Sequence, residues 1–350
     1  MPSKPLALLI PLAAIAAQLP DDKPAEQAFR NIQVLKGLPQ SQLLTTMFFI
    51  RASLGVSCEH CHSDAGFEKD EKPAKLRARE MIRMVRQLNQ TQFGGRATIS
   101  CNTCHRGSLR PEASPAFAEI VQAQPKQENP AIGPLPSARQ LFARHLQAIG
   151  GEAALKRIAS RRMKGTRFSS EGWSAPVEID QQAPNAWIAS FTLQARFISA
   201  WDGAHGWNHD DQGYHDVDSK DLSELRQDAE FYRDIKLNEL FRGAETSGRD
   251  MINGRAVYVV HANDADGQPK ALYFDVETGL LSRIAGSDPS AFGPLPHVVE
   301  YSDYREVDGV KTPFIIGHLR PDFSTLDKFA SIEQNVALPP DTFMKPPLAR

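Results

Sequence analysis

Two pentapeptides constrain this chain more than any other feature: Cys58-Glu59-His60-Cys61-His62 and Cys101-Asn102-Thr103-Cys104-His105. Both have the form C-x-x-C-H, and together they use all 4 cysteines. Two thiols at this spacing can reach both vinyl groups of one porphyrin, and the next histidine is carried beneath the iron. The pattern is therefore the attachment signature of c-type haem. Paired C-x-x-C motifs also build four-cysteine zinc sites, and single ones build thioredoxin-like redox centres. Neither chemistry requires a histidine after the second cysteine of each pair. The expected cofactors are two covalently attached haem c groups, with Cys58, Cys61, Cys101 and Cys104 as thioether donors and His62 and His105 as axial ligands. No thiol remains for a disulfide.

A chain of 350 residues has room for two domains. At 41% hydrophobic and 23% charged, with a formal net charge of -2, it is neither a polar disordered chain nor a strongly cationic nucleic-acid binder. Its start carries Lys4, an apolar run over 6–17 broken by Pro11, and the small-x-small ending Ala14-Ile15-Ala16. These are the parts of a secretory signal peptide over 1–17, with a retained membrane anchor as the second reading. A periplasmic or otherwise exported location follows, with membrane association left open. Export agrees with covalent haem attachment, which takes place outside the cytoplasm.

The haem-bearing unit is expected over 18–110. Leu43, Met47, Ile50 and Leu54 recur at helical spacing over 39–54, with Gly55 as the cap. A second helix over 73–89 opens on Pro73 and aligns Ala78, Met81, Ile82, Val85 and Leu88. The segment 91–100 reads as a loop into the second motif. Methionine thioether is a usual sixth ligand in electron-transfer haems. Met47 precedes Cys58 on the inward face of its helix, and Met81 and Met84 precede Cys101. Methionine at helical spacing also serves as core filling. His60 occupies a variable position of its motif and is expected to be exposed. Arg79 and Arg106 suit pairing with haem propionates through the planar guanidinium, whereas Arg51 reads as part of a solvated face. From 68 to 110 lysine and arginine outnumber aspartate and glutamate, which fits either steering of an acidic partner or balancing of propionates.

The stretch from about 28 to 111 resembles the cytochrome c subunit of photosynthetic reaction centres. The matching pieces are Asn31-Ile-Gln-Val-Leu-Lys-Gly37, Leu54-Gly-Val-Ser-Cys58, Ala78-Arg-Glu-Met-Ile-Arg-Met-Val85, Leu88-Asn89 and Thr103-Cys-His-Arg-Gly107. The resemblance implies that each haem lies along the helix before its motif and takes a methionine from it. Met47 matches the first such methionine and Met81 the second, with Met84 as the fallback. That subunit carries two pairs of haems, one of which takes a histidine from elsewhere; this chain has one pair of motifs. Redox proteins, some of them membrane-bound, are the implied partners.

A proline-rich linker is expected over 111–136, and an antiparallel β domain over 137–350. The latter opens with an amphipathic helix over 137–149, in which His145 reads as a core or boundary histidine. Short strands with turn signals follow, including 186–191, 256–261, 270–275, 298–304, 314–319 and 329–336. The run Tyr273-Phe-Asp-Val-Glu-Thr-Gly-Leu-Leu281 and the hairpin around Asp308-Gly309 weakly resemble the open β-barrel of outer-membrane lipoprotein carriers, which implies a curved sheet able to hold a lipid or acyl chain. His205, His209 and His215 fall in a glycine-rich stretch read as a surface loop, without a recognised metal-ligand spacing. The fold class is thus α+β in two domains, a helical dihaem module followed by a curved antiparallel sheet. The leading function is single-electron transfer by an exported dihaem cytochrome. Alternatives are a peroxidase-like oxidoreductase with one open iron and a lipid-binding β domain with an accessory haem module.

Overall fold

The computed structural model describes residues 22–111, 134–217 and 221–347. The expected signal segment over 1–17 and most of the expected linker over 111–136 lie outside the described residues. Helices come first: α1 (Ala25–Ala28), α2 (Leu43–Leu54), α3 (Pro73–Gln92) and α4 (Cys101–His105). The second half contains α5 (Ala138–Ala148), α6 (Glu152–Leu155), α7 (Asp221–Ala229), α8 (Leu237–Leu240) and one large curved antiparallel sheet. No helix among the described residues is long and apolar enough to cross a membrane.

Local chemistry sets the helix limits. Pro39 sits at φ -54°, ψ 138°, an extended conformation, so the chain enters α2 only after one 3-10 turn at Gln40–Gln42. Gly55 ends α2 at φ 64°, in the left-handed region where glycine carries no Cβ penalty. Pro73 occupies the first turn of α3. That helix runs past its expected end at Asn89 and takes Thr91 and Gln92 out of the expected loop. Asn89 then organises the rest: its amide donates to the Ile99 carbonyl at 2.7 Å and accepts from the Thr98 and Ile99 amides.

The sheet has 13 strands in the order β6-β5-β4-β3-β2-β1-β13-β12-β11-β10-β9-β8-β7. They are β1 (Ser160–Ser169), β2 (Ser174–Gln182), β3 (Ala186–Thr192), β4 (Arg196–Trp201), β5 (Gly206–Asp210), β6 (Gly213–Asp216), β7 (Arg242–Ile252), β8 (Arg255–Asn263), β9 (Pro269–Asp275), β10 (Leu281–Asp288), β11 (Leu295–Val307), β12 (Val310–Leu319) and β13 (Ser324–Gln334). Two meanders are joined where the first strand pairs with the last. Lys164 faces Ser331 but Gly165 faces Phe329, a bulge at which a Cβ would run into the β13 backbone. The final strand begins before its expected start and stops at Gln334, because Asn335 turns left-handed at φ 56°.

Alternation supplies the core. On β8, Val260 and Ala262 are buried, as are Leu272 and Phe274 on β9. They pack against Ala138, Leu141 and Phe142 of α5, which Ser137 and Gln140 cap reciprocally. His145, 1% exposed, accepts from the Leu281 amide at 3.1 Å through Nδ1 and places Nε2 3.4 Å from Asp234. A second cluster joins Met163, Ile179, Phe314 and Phe329. One expectation fails here. His209 and His215 lie on paired strands β5 and β6, not in a surface loop; the His209 ring packs on Tyr214 and its Nδ1 meets the Arg196 carbonyl at 2.7 Å. No metal-ligating cluster of histidine, cysteine and carboxylate side chains occurs among the described residues.

The helical half docks on the sheet through α2. Apolar residues surround this helix, as suits one with neighbours on several sides. Phe49 meets Phe292 of the β10–β11 connection at a ring separation of 6.1 Å, and Thr46 Oγ1 accepts from the Ala291 amide at 3.0 Å. Arg320 stacks over Phe48. Arg51 pairs with Glu171 in the β1–β2 turn, so its expected place on a solvated face is corrected: it ties the two halves together.

Candidate functional site

The two motifs converge at the end of α2. The Gly107 amide donates to the Ser53 carbonyl at 2.8 Å, and a Cβ on Gly55 would run into the Gly107 carbonyl. Only a glycine at 55 lets the segment before the first motif touch the segment after the second, whereas a Cβ on Gly107 would meet only the Ala52 carbonyl at 3.9 Å. Cys58–His60 forms a 3-10 turn and Cys101–His105 a short helix. All four thiols are free; Cys58 and Cys104 are exposed, Cys61 and Cys101 half-buried.

Both motif histidines are oriented in the same way. His62 Nδ1 lies 2.9 Å from the Phe67 carbonyl, and its ring packs on the Phe67 ring at 5.0 Å. His105 Nδ1 lies 3.0 Å from the Ser108 carbonyl. A carbonyl can only accept, so each Nδ1 holds the proton and each Nε2 presents its lone pair. Such an imidazole is prepared as a metal ligand. Burial also lowers the His62 pKa, which favours the neutral, ligating form. The same effect raises the Cys61 thiol and pushes Cys101 up to about 11.

A cavity of about 290 Å³ lies against the second motif. Its walls include Cys101, Cys104 and His105 from α4, Met81 and Met84 from α3, and Ile50 and Leu54 from α2. Met81 is half-buried, whereas Met84 is 43% exposed. His60 and Cys61 of the first motif line the same cavity, so the two motifs share a wall. His60 is exposed as expected, yet it stands between the motifs. Met47 is half-buried in a cluster with Leu35, Ile82, Val85 and Phe292. The donor set and the apolar lining fit a c-type haem: two thiols, an imidazole with its Nδ1 committed, and a thioether from another helix.

Residues 7–135 match the photosynthetic reaction centre cytochrome C subunit family. The chain is 36% identical over 84 residues to cytochrome c-554 of Chloroflexus aurantiacus, an alignment covering 22% of this chain and 20% of that protein. It is 29% identical over 106 residues to the photosynthetic reaction center cytochrome c subunit of Thermochromatium tepidum, covering 29% and 25%. The chain thus spans only a fifth to a quarter of the length of these relatives. Among solved structures it is similar to a LolA superfamily protein from Nitrosomonas europaea, at TM-score 0.42 and 12% identity over 60% of this chain and 99% of that one. It is also similar to a DUF1329 family protein from Desulfovibrio piger, at TM-score 0.44 and 9% identity over 59% and 96%.

The two arginines are placed differently from each other. Arg79 is 7% exposed and grips Asp70 through both terminal nitrogens at 2.8 Å, holding that carboxyl well below the usual range. It ties the loop after the first motif to α3. Arg106 follows His105 in the left-handed region at φ 48° and is exposed. Much of the basic excess is structurally engaged: Lys72 donates to the Glu59 carbonyl, Lys75 to the Phe67 and Lys69 carbonyls, and Arg86 to the Val34 carbonyl. Sequence reasoning missed Ile50 and Leu54 as cavity lining, and the Phe67 and Ser108 carbonyls as histidine partners. A backbone carbonyl has no residue-type signature, so no signal marked the latter pair.

Proposed function

We propose that the chain is an exported dihaem c-type cytochrome that passes single electrons between redox partner proteins. The similarity of residues 7–135 to the cytochrome family supports a c-type electron-transfer role. The observation that carries the finer reading is the matched Nδ1-to-carbonyl geometry of His62 and His105, each directly after a pair of thiols. Cys58 and Cys61 hold one haem and Cys101 and Cys104 the other. His62 and Met47 would ligate the iron of the first, His105 and Met81 that of the second. Haem bound there supplies one-electron ferric–ferrous chemistry. The protein supplies fixed ligands, so that little rearranges as the electron arrives, and apolar walls from Ile50, Leu54, Ile82 and Val85. Arg106 is the motif arginine left to face a propionate. The working units are 18–110 and 137–350, joined by the linker over 111–136.

Optical spectra and intact mass test this reading. The holoprotein is expected to carry the mass of two haems and to show a thioether-to-ferric-iron charge-transfer band. That band weakens in Met47→Ala and again in Met81→Ala. Rapid binding of cyanide or peroxide by the unsubstituted protein would sink the carrier in favour of a catalytic site with an open iron.

A further inference from the structure

The sheet encloses a cavity of about 510 Å³, larger than the one beside the haem motifs and unrelated to them in its chemistry. Its walls carry buried charges, which are costly unless paired. Most are paired. Arg167 binds Asp327 through two contacts of 2.7 Å. Arg233 reaches Asp234 at 3.1 Å and the Tyr301 hydroxyl at 2.7 Å. Glu230 takes Lys236 at 2.9 Å.

Arg161 is the exception. Its Nε is sealed from solvent without a hydrogen-bond partner, and its Nη1 reaches the Gln181 side-chain oxygen only at 3.5 Å. Burial lowers this guanidinium to about 10: the charge of Asp234 offsets only part of the desolvation, and the Arg233 charge works against it. Thr312 Oγ1, on another wall of the cavity, is likewise enclosed and unpartnered. Buried donors without acceptors are rare in folded proteins and call for an explanation such as a bound group.

The surroundings specify the shape of that group. Arg161 opposes Gln181, which opposes Trp187, so a guanidinium, an amide and an indole form a row across β1, β2 and β3. Phe231 lies beneath the guanidinium, 5.5 Å from its carbon. A planar fork beside flat rings suits a carboxylate attached to a flat apolar body. A long hydrocarbon chain suits the cavity less well. Arg161 and Arg167 lie roughly 20 Å apart along β1 by the strand rise, and methylenes filling that length would press against the Arg167–Asp327 and Arg233–Asp234 pairs.

We infer that this cavity is a binding site for a small aromatic carboxylate, with Arg161 receiving the carboxylate, Thr312 donating to it and Trp187 covering the ring. Calorimetric titration of the full-length holoprotein with trans-cinnamate and benzoate tests the site, with palmitate and inorganic phosphate as competing probes. Saturable binding of trans-cinnamate is expected, weakened about tenfold or more in Arg161→Gln by loss of a charged hydrogen bond. Arg83→Gln, on the exposed face of α3, should leave it unchanged. If Arg161→Gln melts below the unsubstituted protein, Thr312→Val decides, with an expected weakening of about threefold or more. The inference is overturned if neither aromatic acid binds saturably, if the deciding variant binds as the unsubstituted protein does, or if palmitate or phosphate binds in their place.

Discussion

Residues 22–111 and the sheet that follows differ most in how they fill their interiors. The sheet buries rows of valine, leucine, isoleucine and phenylalanine, with Val260, Leu272, Phe274 and Leu281 all at 0% exposure. Among its described residues the helical half has only Ala25, Leu35, Ile82 and Val85 as buried apolar residues, and its cluster borrows Phe292 from the sheet. Large apolar side chains stand exposed around its motifs, among them Phe67 at 65% and Leu109 at 48%. So small a core cannot offset the conformational entropy of ordering such a unit. Under the proposed function the porphyrins complete that core, whereas the sheet needs only its own side chains. The difference teaches that the two halves should fail under different insults.

The largest effect is expected from replacing Cys58, Cys61, Cys101 and Cys104 together with alanine. Residues 22–111 should become freely cleaved by protease while the sheet keeps its cooperative melt; simultaneous loss of both would break the comparison. Phe274→Ala, at the centre of the sheet core, should cost about 4 kcal/mol in denaturant unfolding of the β domain and leave the haem spectrum unchanged.

One pH response should belong to the sheet. Burial pushes the His318 imidazole down from 6.5 to about 4. Between those values the unfolded chain binds more protons than the folded one, so stability falls as pH is lowered through that window. The loss is on the order of 3 kcal/mol by linkage, and His318→Gln should flatten that slope in melts at a series of pH values. The smallest effect concerns the joint between the halves. Thr46→Val leaves the Ala291 amide without its acceptor and should cost about 1–2 kcal/mol. It should be read as faster hydrogen exchange in both α2 and the β10–β11 connection; a change in α2 alone would show that the joint is not shared.

Much of this was legible from residue order. Gly55 and Pro73 marked helix limits because their backbone restrictions act locally, and α5 was visible because its apolar positions repeat at helical spacing. The turn at Asp308-Gly309 was legible for the same reason. Arg51 and Arg79 were not. Their partners, Glu171 and Asp70, are set by how distant or looping segments pack, and a long charged side chain at the surface reads alike whether solvated or paired. The histidines on β5 and β6 were misplaced because the nearby glycines signal turns more strongly than their short strands signal pairing.

The order of the amino acids by itself determined the chemistry this protein can perform. Cysteine and histidine spacing within a pentapeptide is a local property, and so are the periodicities that separate helices from strands. Only the tertiary structure decided what surrounds that chemistry. It placed both motifs against the end of α2 through Gly55 and Gly107, turned each histidine through a backbone carbonyl, and left Arg161 alone among paired charges. Those outcomes depend on contacts between residues far apart in the chain, and no local pattern records which partner a side chain will meet.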